Sequence, residues 1–455
     1  GGRIEVEYDA SMRETIRRYG GRMVGERRYD EAGRLGGIVY RRDRGMVVGE
    51  VLDAEAYVYN DDGKRAYTID EAGGVTRFVY DQNGRLAEAH YPYESTVVDS
   101  HLEQLKRLGV VPPLADENQL RGRSRSGLSG YRSVPSEDRA AVESAFRALL
   151  PVGTTSPAGL APSWGESFHY DSRGNRTLVE TPLGTVRFEY DGQNRMILAG
   201  RQNLTYDRVG NLTTSSGPGG TYRYEYNAVN RVVAVTGHDG VGRQIEVAYG
   251  YDAIGRRTYR RNGEGATYHT VYDGVSVNAV ATLHATAERG GASVRKSPRS
   301  GGGRSHFAPS VREPFVKPAL QAETVRIGRT PAAEINADGT TYVGTDVLGS
   351  VTIQVGFGVG VEEAGSRGAT VDTVSRSQFG RPGMETAGSR DRGYRQRAGA
   401  PAWDHLDIEY RAFGETRLGG VTPSMSYGYT GKRMDPDTGV SDYGFRDYAA
   451  DLARF

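Results

Sequence analysis

The chain has 455 residues, including 63 Gly, 29 Tyr and no Cys, and its 58 Lys+Arg balance 57 Asp+Glu to a formal net charge of +1. The absence of Cys excludes disulfide frameworks, thiolate metal sites and cysteine nucleophiles, and no apolar run approaches the roughly 18 residues of a membrane span. Balanced charge leaves no chain-wide basic footprint, so neither nucleic acid nor membrane insertion is expected. A hydrophobic content of 37% is low for a compact core, while the abundance of Gly and Tyr argues against plain disorder. The opening GGRIEV has neither a basic nor an apolar leader region, and without an initiator Met the natural N-terminus is expected upstream.

One short pattern recurs along the chain: Tyr, Asp or Asn, two variable residues, Gly or Asn, then a basic residue or Asn. It reads YDEAGR from Tyr29, YNDDGK from Tyr59, YDQNGR from Tyr80 and YDSRGN from Tyr170. It continues as YDGQNR from Tyr190, YDRVGN from Tyr206, YNAVNR from Tyr226 and YDAIGR from Tyr251, with degenerate copies from Tyr8, Tyr272 and Tyr410. Several intervals are close to 20 residues, enough for two short strands and two tight turns.

Hairpin chemistry explains these choices. Four positions after the Tyr stands Gly33, Gly63, Gly84, Gly174, Gly210, Gly255 or Gly414, replaced by Asn194 and Asn230 in two copies. Gly and Asn tolerate positive φ best, so this position is expected in the left-handed region of a hairpin loop. The Asp or Asn after the Tyr is expected to bond main-chain N–H groups two residues on. Met12 and Ser276 break the pattern. The strand entering each turn alternates: Ile4, Val6 and Tyr8 face one side, Glu5 and Glu7 the other, and VRFEY, TYRYEY and IEVAYGY repeat the pattern. The residue two before the repeat Tyr is apolar or aromatic in nine of eleven copies; Arg27 and Thr270 are the exceptions. Stacked hairpins would form Tyr columns, rings buried and hydroxyls near solvent. About twelve hairpins make about 24 strands, and an open twisted sheet of that length, on the order of 115 Å, must curl or wind.

Residues 94–163 interrupt the array. HLEQLKRLG (101–109) and SEDRAAVESAFRALL (136–150) have helical spacing, with Val142, Phe146 and Leu149 on one face and Ser136 as N-cap ahead of Glu137 and Asp138. Between them RGRSRSGLSG reads as a basic loop, and the whole excursion as a surface element. Residues 285–320 and 361–402 are rich in Gly, Ser and Arg and read as solvated linkers; the second carries Arg367, Arg376, Arg381, Arg390, Arg392, Arg395 and Arg397.

No constellation carries catalysis. His90, His101, His169, His238, His269, His284, His306 and His405 show no metal-site spacing, and neither a nucleophile elbow nor a phosphate-binding loop occurs. Glycines 356, 358 and 360 follow a strand but lack the spacing of a dinucleotide loop. Asp30, Asp81, Asp171, Asp207 and Asp252, with Asp346 and Asp435, are read as turn formers. Asn175, Asn203 and Asn211 open glycan sequons, relevant to a eukaryotic secretory setting. No catalytic, cofactor-binding or metal residue is assigned, and no cofactor is expected.

The repeat resembles that of the YD-repeat, or Rhs-repeat, proteins over about three-quarters of the chain. TTYVGTDVLGSVT (340–352) resembles a segment of the Rhs-associated core domain. So does 408–455, through YGYTGK, Asp435-Pro436-Asp437-Thr438-Gly439, Arg446-Asp447-Tyr448 and the closing Ala453-Arg454-Phe455. The resemblance implies an all-β fold: a long curled antiparallel hairpin array winding into a complete or partial hollow shell, with one small helical insertion. Its domains would be hairpins in 1–93, the insertion 94–163, hairpins in 164–284, a basic linker 285–320 and the core domain 321–455 with a flexible insertion 361–402. The implied function is non-enzymatic: a secreted or cell-surface bacterial shell that encloses a C-terminal toxin polypeptide encoded downstream of Phe455, with a secretion or toxin-complex component as a further partner. The alternative is an adhesive or structural surface protein binding glycans or proteins. The family's self-cleavage site lies beyond Phe455, so no catalytic residue is transferred, and Tyr448-Ala449-Ala450-Asp451 departs from the family's usual last turn.

Overall fold

The computed structural model describes residues 3–43, 49–71, 73–92, 102, 104–110, 135, 137–149, 163–274, 276, 279–285, 319–327, 329–336, 339–357, 403–418, 427–443 and 446–454. The expected basic loop at 121–130 and the insertion 361–402 lie outside them, as does the linker expected at 285–320 except for its ends, residues 285 and 319–320, which belong to strands. Among the described residues the main structure is an antiparallel sheet, counting 25 strands, built from hairpins in chain order. The residues divide into two compact units.

The first unit comprises residues 1–100, 126–166 and 330–431. Strands Ile4–Tyr8, Glu14–Tyr19, Met23–Tyr29, Leu35–Arg42, Val51–Tyr59, Arg65–Asp70, Val75–Tyr80 and Leu86–Pro92 each pair antiparallel with the next. Thr330–Asn336, Gly339–Thr345, Val351–Phe357 and Trp403–Asp407 form a second meander, followed by the short hairpin Glu409–Tyr410 with Thr416–Leu418. The helix Arg139–Leu149 packs Val142 into a cluster with Val39, Ala54, Ala56, Tyr67 and Ile69, so this part of the insertion covers sheet rather than standing off it. It begins two residues later than a Ser136 cap implies. Asp138 leads in, its carbonyl accepting Val142 N–H at 3.1 Å and its carboxylate bonding the Tyr67 hydroxyl. Ser136 and the side chains of Phe146 and Leu149 lie outside the described residues.

The second unit comprises residues 101–125, 167–329 and 432–455. Its strands run from Arg176–Thr181 through Gly184–Tyr190, Met196–Ala199, Gln202–Tyr206, Leu212–Gly217, Gly220–Tyr226, Val232–Asp239, Gln244–Tyr251, Arg257–Asn262, Thr267–Tyr272 and Ala279–Ala285 to Ala319–Ile327. Every successive pair is antiparallel. The expected alternation holds: in Gly184–Tyr190, Val186 and Phe188 are buried between exposed Thr185, Arg187 and Glu189. Val235, Ile245, Val247 and Tyr249 form a core on the same principle. Helical residues at Leu102 and Gln104–Arg107 bury Leu102, Leu105 and Leu108, and the Leu108 carbonyl accepts Arg201 N–H at 2.8 Å.

The register shifts immediately before the repeat Tyr, as between Val79 and Tyr80, Glu189 and Tyr190, and Gly250 and Tyr251. Alternation alone does not reveal this bulge. It follows from a loop that ends on a left-handed residue, which places one extra residue on the returning strand.

Candidate functional site: the tyrosine turns and the C-terminal segment

Each turn is closed by its own side chains. Asp81 Oδ1 accepts the main-chain N–H of Asn83 at 2.9 Å and of Arg85 at 2.8 Å, while Arg85 Nε donates to Asp81 Oδ2 at 2.7 Å. Asp191 repeats the set with Gln193 and Arg195, and Asp252 with Ile254 and Arg256. The Arg85 N–H, with its guanidinium, holds the Asp81 carboxyl below the usual carboxylate range. The left-handed position is as expected: Gly84 has φ +75° and Gly255 φ +87°, and Asn194 and Asn230 adopt +69° and +62°. Met12, which departs from the pattern, takes φ +59° in the same turn geometry. In the Tyr272 copy Ser276 N–H bonds the Asp273 carbonyl at 3.0 Å.

The tyrosines link turn to turn. Their hydroxyls are not left to solvent: Tyr29 donates to the Glu14 carbonyl at 2.7 Å, Tyr190 to Arg176 at 2.9 Å and Tyr226 to Leu212 at 2.9 Å. The basic residue that ends one turn covers the ring of a neighbouring one, with Arg13 4.5 Å from the Tyr29 centroid, Arg34 4.6 Å from Tyr59 and Arg256 4.6 Å from Tyr272. In the turn after Tyr170 that slot holds Asn175. There the cation arrives from the far end of the chain: Arg454 lies 4.9 Å from the Tyr190 centroid, and its Nη2 donates to Asn175 Oδ1 at 2.7 Å. The last turn is a 3-10 turn over Ala450–Leu452 with Ala453 left-handed, and Ala449 bridges back to Arg454.

The rest of the C-terminal segment is ion-paired to its own unit. Asp435, 4% exposed, accepts the Tyr249 hydroxyl at 2.8 Å and Arg260 Nε at 2.8 Å, besides the N–H groups of Asp437 at 3.0 Å and Thr438 at 3.2 Å. Burial alone would raise its pKa; Arg260, by hydrogen bond and charge, holds it below the ordinary value. Arg257 Nη2 meets Asp447 Oδ1 at 2.5 Å, yet burial outweighs this partner and raises the Asp447 pKa. Arg433 donates to Thr270 Oγ1 at 2.9 Å, so one exception to the apolar strand position anchors this segment.

The first unit holds a carboxylate-lined pocket of Asp53, Glu55, Asp70 and Asp346 beside Arg65 and Tyr410. Burial, then the nearby Asp346 charge, pushes Glu55 up to about 7. Thr352 donates to Asp53 at 2.8 Å, and the Tyr57 hydroxyl bonds Glu55. Among the described residues no group of three or more His, Asp or Glu is arranged to hold a metal ion, and no helix is long and apolar enough to cross a membrane.

The sequence reading of Asp346 and Asp435 as turn formers is correct in part. Asp346 Oδ1 accepts the N–H groups of Leu348 and Ser350, both at 2.8 Å. Asp435 does the same locally, but its long-range partners Tyr249 and Arg260, and the meeting of Glu55 with Asp346, leave no mark in residue spacing. The one available signal for the C-terminal contacts was Thr270, an exception to the apolar strand position.

The teneurin YD-shell family model matches residues 160–285. A comparison with curated proteins found no match. Among solved structures, the Photorhabdus luminescens Tc holotoxin pore aligns at TM-score 0.56 and 16% identity, covering 99% of this chain and 17% of that chain. The TcdB2-TccC3-TEV crystal structure aligns at TM-score 0.54 and 16% identity, covering 99% of this chain and 18% of that one. The chain thus spans less than a fifth of each matched chain, and at this identity the likeness is one of fold. Residues 160–285 thus match the YD-shell repeat, and the Tyr-Asp turns and long antiparallel hairpin sheet give the chain the fold of these shell structures.

Proposed function

We propose that the chain is the non-catalytic shell segment of a bacterial, secreted Rhs-type polymorphic toxin, and that it encloses an effector polypeptide carried on its C-terminal side. The observation that supports this most is the fixation of residues 433–454. Asp435, which is buried, and Asp447 and Arg454, which are partly buried, tie a segment of little regular structure to the sheet through charge, which sets where any following chain departs. The domain division in this reading is hairpins in 1–93 and 164–284, insertions at 94–163, 285–320 and 361–402, and a core domain from 321. Its partners are the effector and a component of the delivery machinery.

The test is intact-mass analysis with C-terminal peptide mapping of the product of the complete natural gene. A chain cut shortly after Phe455, with a smaller polypeptide co-purifying, supports the toxin shell. An uncut product that binds glycan or protein arrays supports the second reading, an adhesive surface scaffold.

A further inference from the structure

Arg27 occupies a strand position that is apolar or aromatic in nine of the eleven repeats, and its side chain is only 9% exposed. It shares one carboxylate with a second buried arginine. Glu14 Oε1 is 2.5 Å from Arg27 Nη1 and Glu14 Oε2 is 2.5 Å from Arg17 Nη2, the Arg17 side chain being 4% exposed. Two guanidiniums against one carboxylate leave one positive charge in excess. Both stay protonated, because a guanidinium keeps its proton throughout the accessible pH range and Glu14 pairs with each.

The groups converge at one place. Gly25 is the cross-strand partner of both Arg17 and Tyr40, and a Cβ built on it would stand 2.8 Å from Tyr40 Cε1 and 3.7 Å from Arg27 Nη1. Arg17 Cζ is 6.0 Å from the Tyr19 ring centroid. Arg17 Nε and Nη1 and the fully buried Tyr19 hydroxyl have no protein hydrogen-bond partner. Tyr40 offers no relief, because its hydroxyl donates to the Thr345 carbonyl at 2.9 Å and accepts Thr345 N–H at 2.7 Å. Water can satisfy an N–H but cannot cancel a charge, and an uncompensated buried charge is strongly destabilising.

We propose that Arg17, Arg27 and Tyr19 form an internal binding site for a small monovalent inorganic anion of halide size, with Arg17 Nε and Nη1 and the Tyr19 hydroxyl as its donors. The low exposure of these side chains favours a small anion, and the single excess charge sets the valence. The site stands independently of the proposed shell function.

Two measurements on the 1–455 chain test it. Crystals grown in bromide should give an anomalous peak within hydrogen-bonding distance of Arg17. Thermal melts at constant ionic strength should shift upward, and saturably, when gluconate is replaced by chloride, as binding to the folded state alone requires. Arg17→Met should abolish the chloride shift; if that variant does not fold, Glu14→Gln, which removes the competing carboxylate, should lower the half-saturating chloride concentration severalfold. Density for water without bromide, identical melts in the two salts, or a chloride shift unchanged in Arg17→Met would each overturn the assignment.

Discussion

Replacing Asp435 by Ala removes the acceptor at the centre of the C-terminal network. Arg260, whose side chain is 14% exposed, keeps Asp437 as a partner, so its loss falls at the low end of the roughly 3–5 kcal/mol that breaking a buried pair costs. The Tyr249 hydroxyl loses its acceptor as well, adding about 1 kcal/mol. The sum, about 4 kcal/mol, should appear as a lower free energy of local opening in native-state hydrogen exchange at residues 433–449. The pH dependence has a definite sign. Asp435 has a folded pKa below its unfolded value, so its contribution is present above the unfolded pKa and is lost as pH falls through the folded one. The variant should therefore lose that acid-side dependence. An opening free energy within about 0.5 kcal/mol of the parent would refute the view that buried charge holds this segment down.

Three further outcomes follow from the same geometry. Gly255→Val, at φ +87°, should destabilise its hairpin by about 1–3 kcal/mol, measured by chemical denaturation, because a β-branched residue resists that conformation; an unchanged midpoint would mean the turn is misassigned. Glu55 has a folded pKa raised to about 7, so the stability linked to its neutral form is complete below its unfolded pKa and is lost as pH rises through about 7; melts of Glu55→Gln should lack that decline, and an unaltered profile would remove Glu55 as its source. Asn175→Arg should restore the basic slot beside Asp171, cover Tyr190 from the neighbouring turn and displace Arg454, raising hydrogen exchange at residues 447–454; unchanged protection there would show that Arg454 is held by other contacts.

The bonds that define the hairpins lie within a few residues of each other, and these were legible in the sequence. An Asp that closes its own turn, a Gly or Asn at positive φ and an alternating strand require only neighbouring residues, so composition and spacing predict Asp81, Gly84 and the Val186–Phe188 face directly. The bulge before each Tyr was hidden because alternation records which face a residue takes, not an extra residue in the ladder. Only the tertiary structure decided which hairpins meet which distant charges. Arg260 and Asp435 are 175 residues apart, Asn175 and Arg454 are 279, and both pairs depend on the C-terminal segment lying over particular strands. Arg27 and Thr270 mark the boundary between the two kinds of information. Each breaks the strand rule in the sequence, but that one sits in a buried cationic cluster and the other anchors the C-terminal segment is set by packing between residues that are distant in the chain.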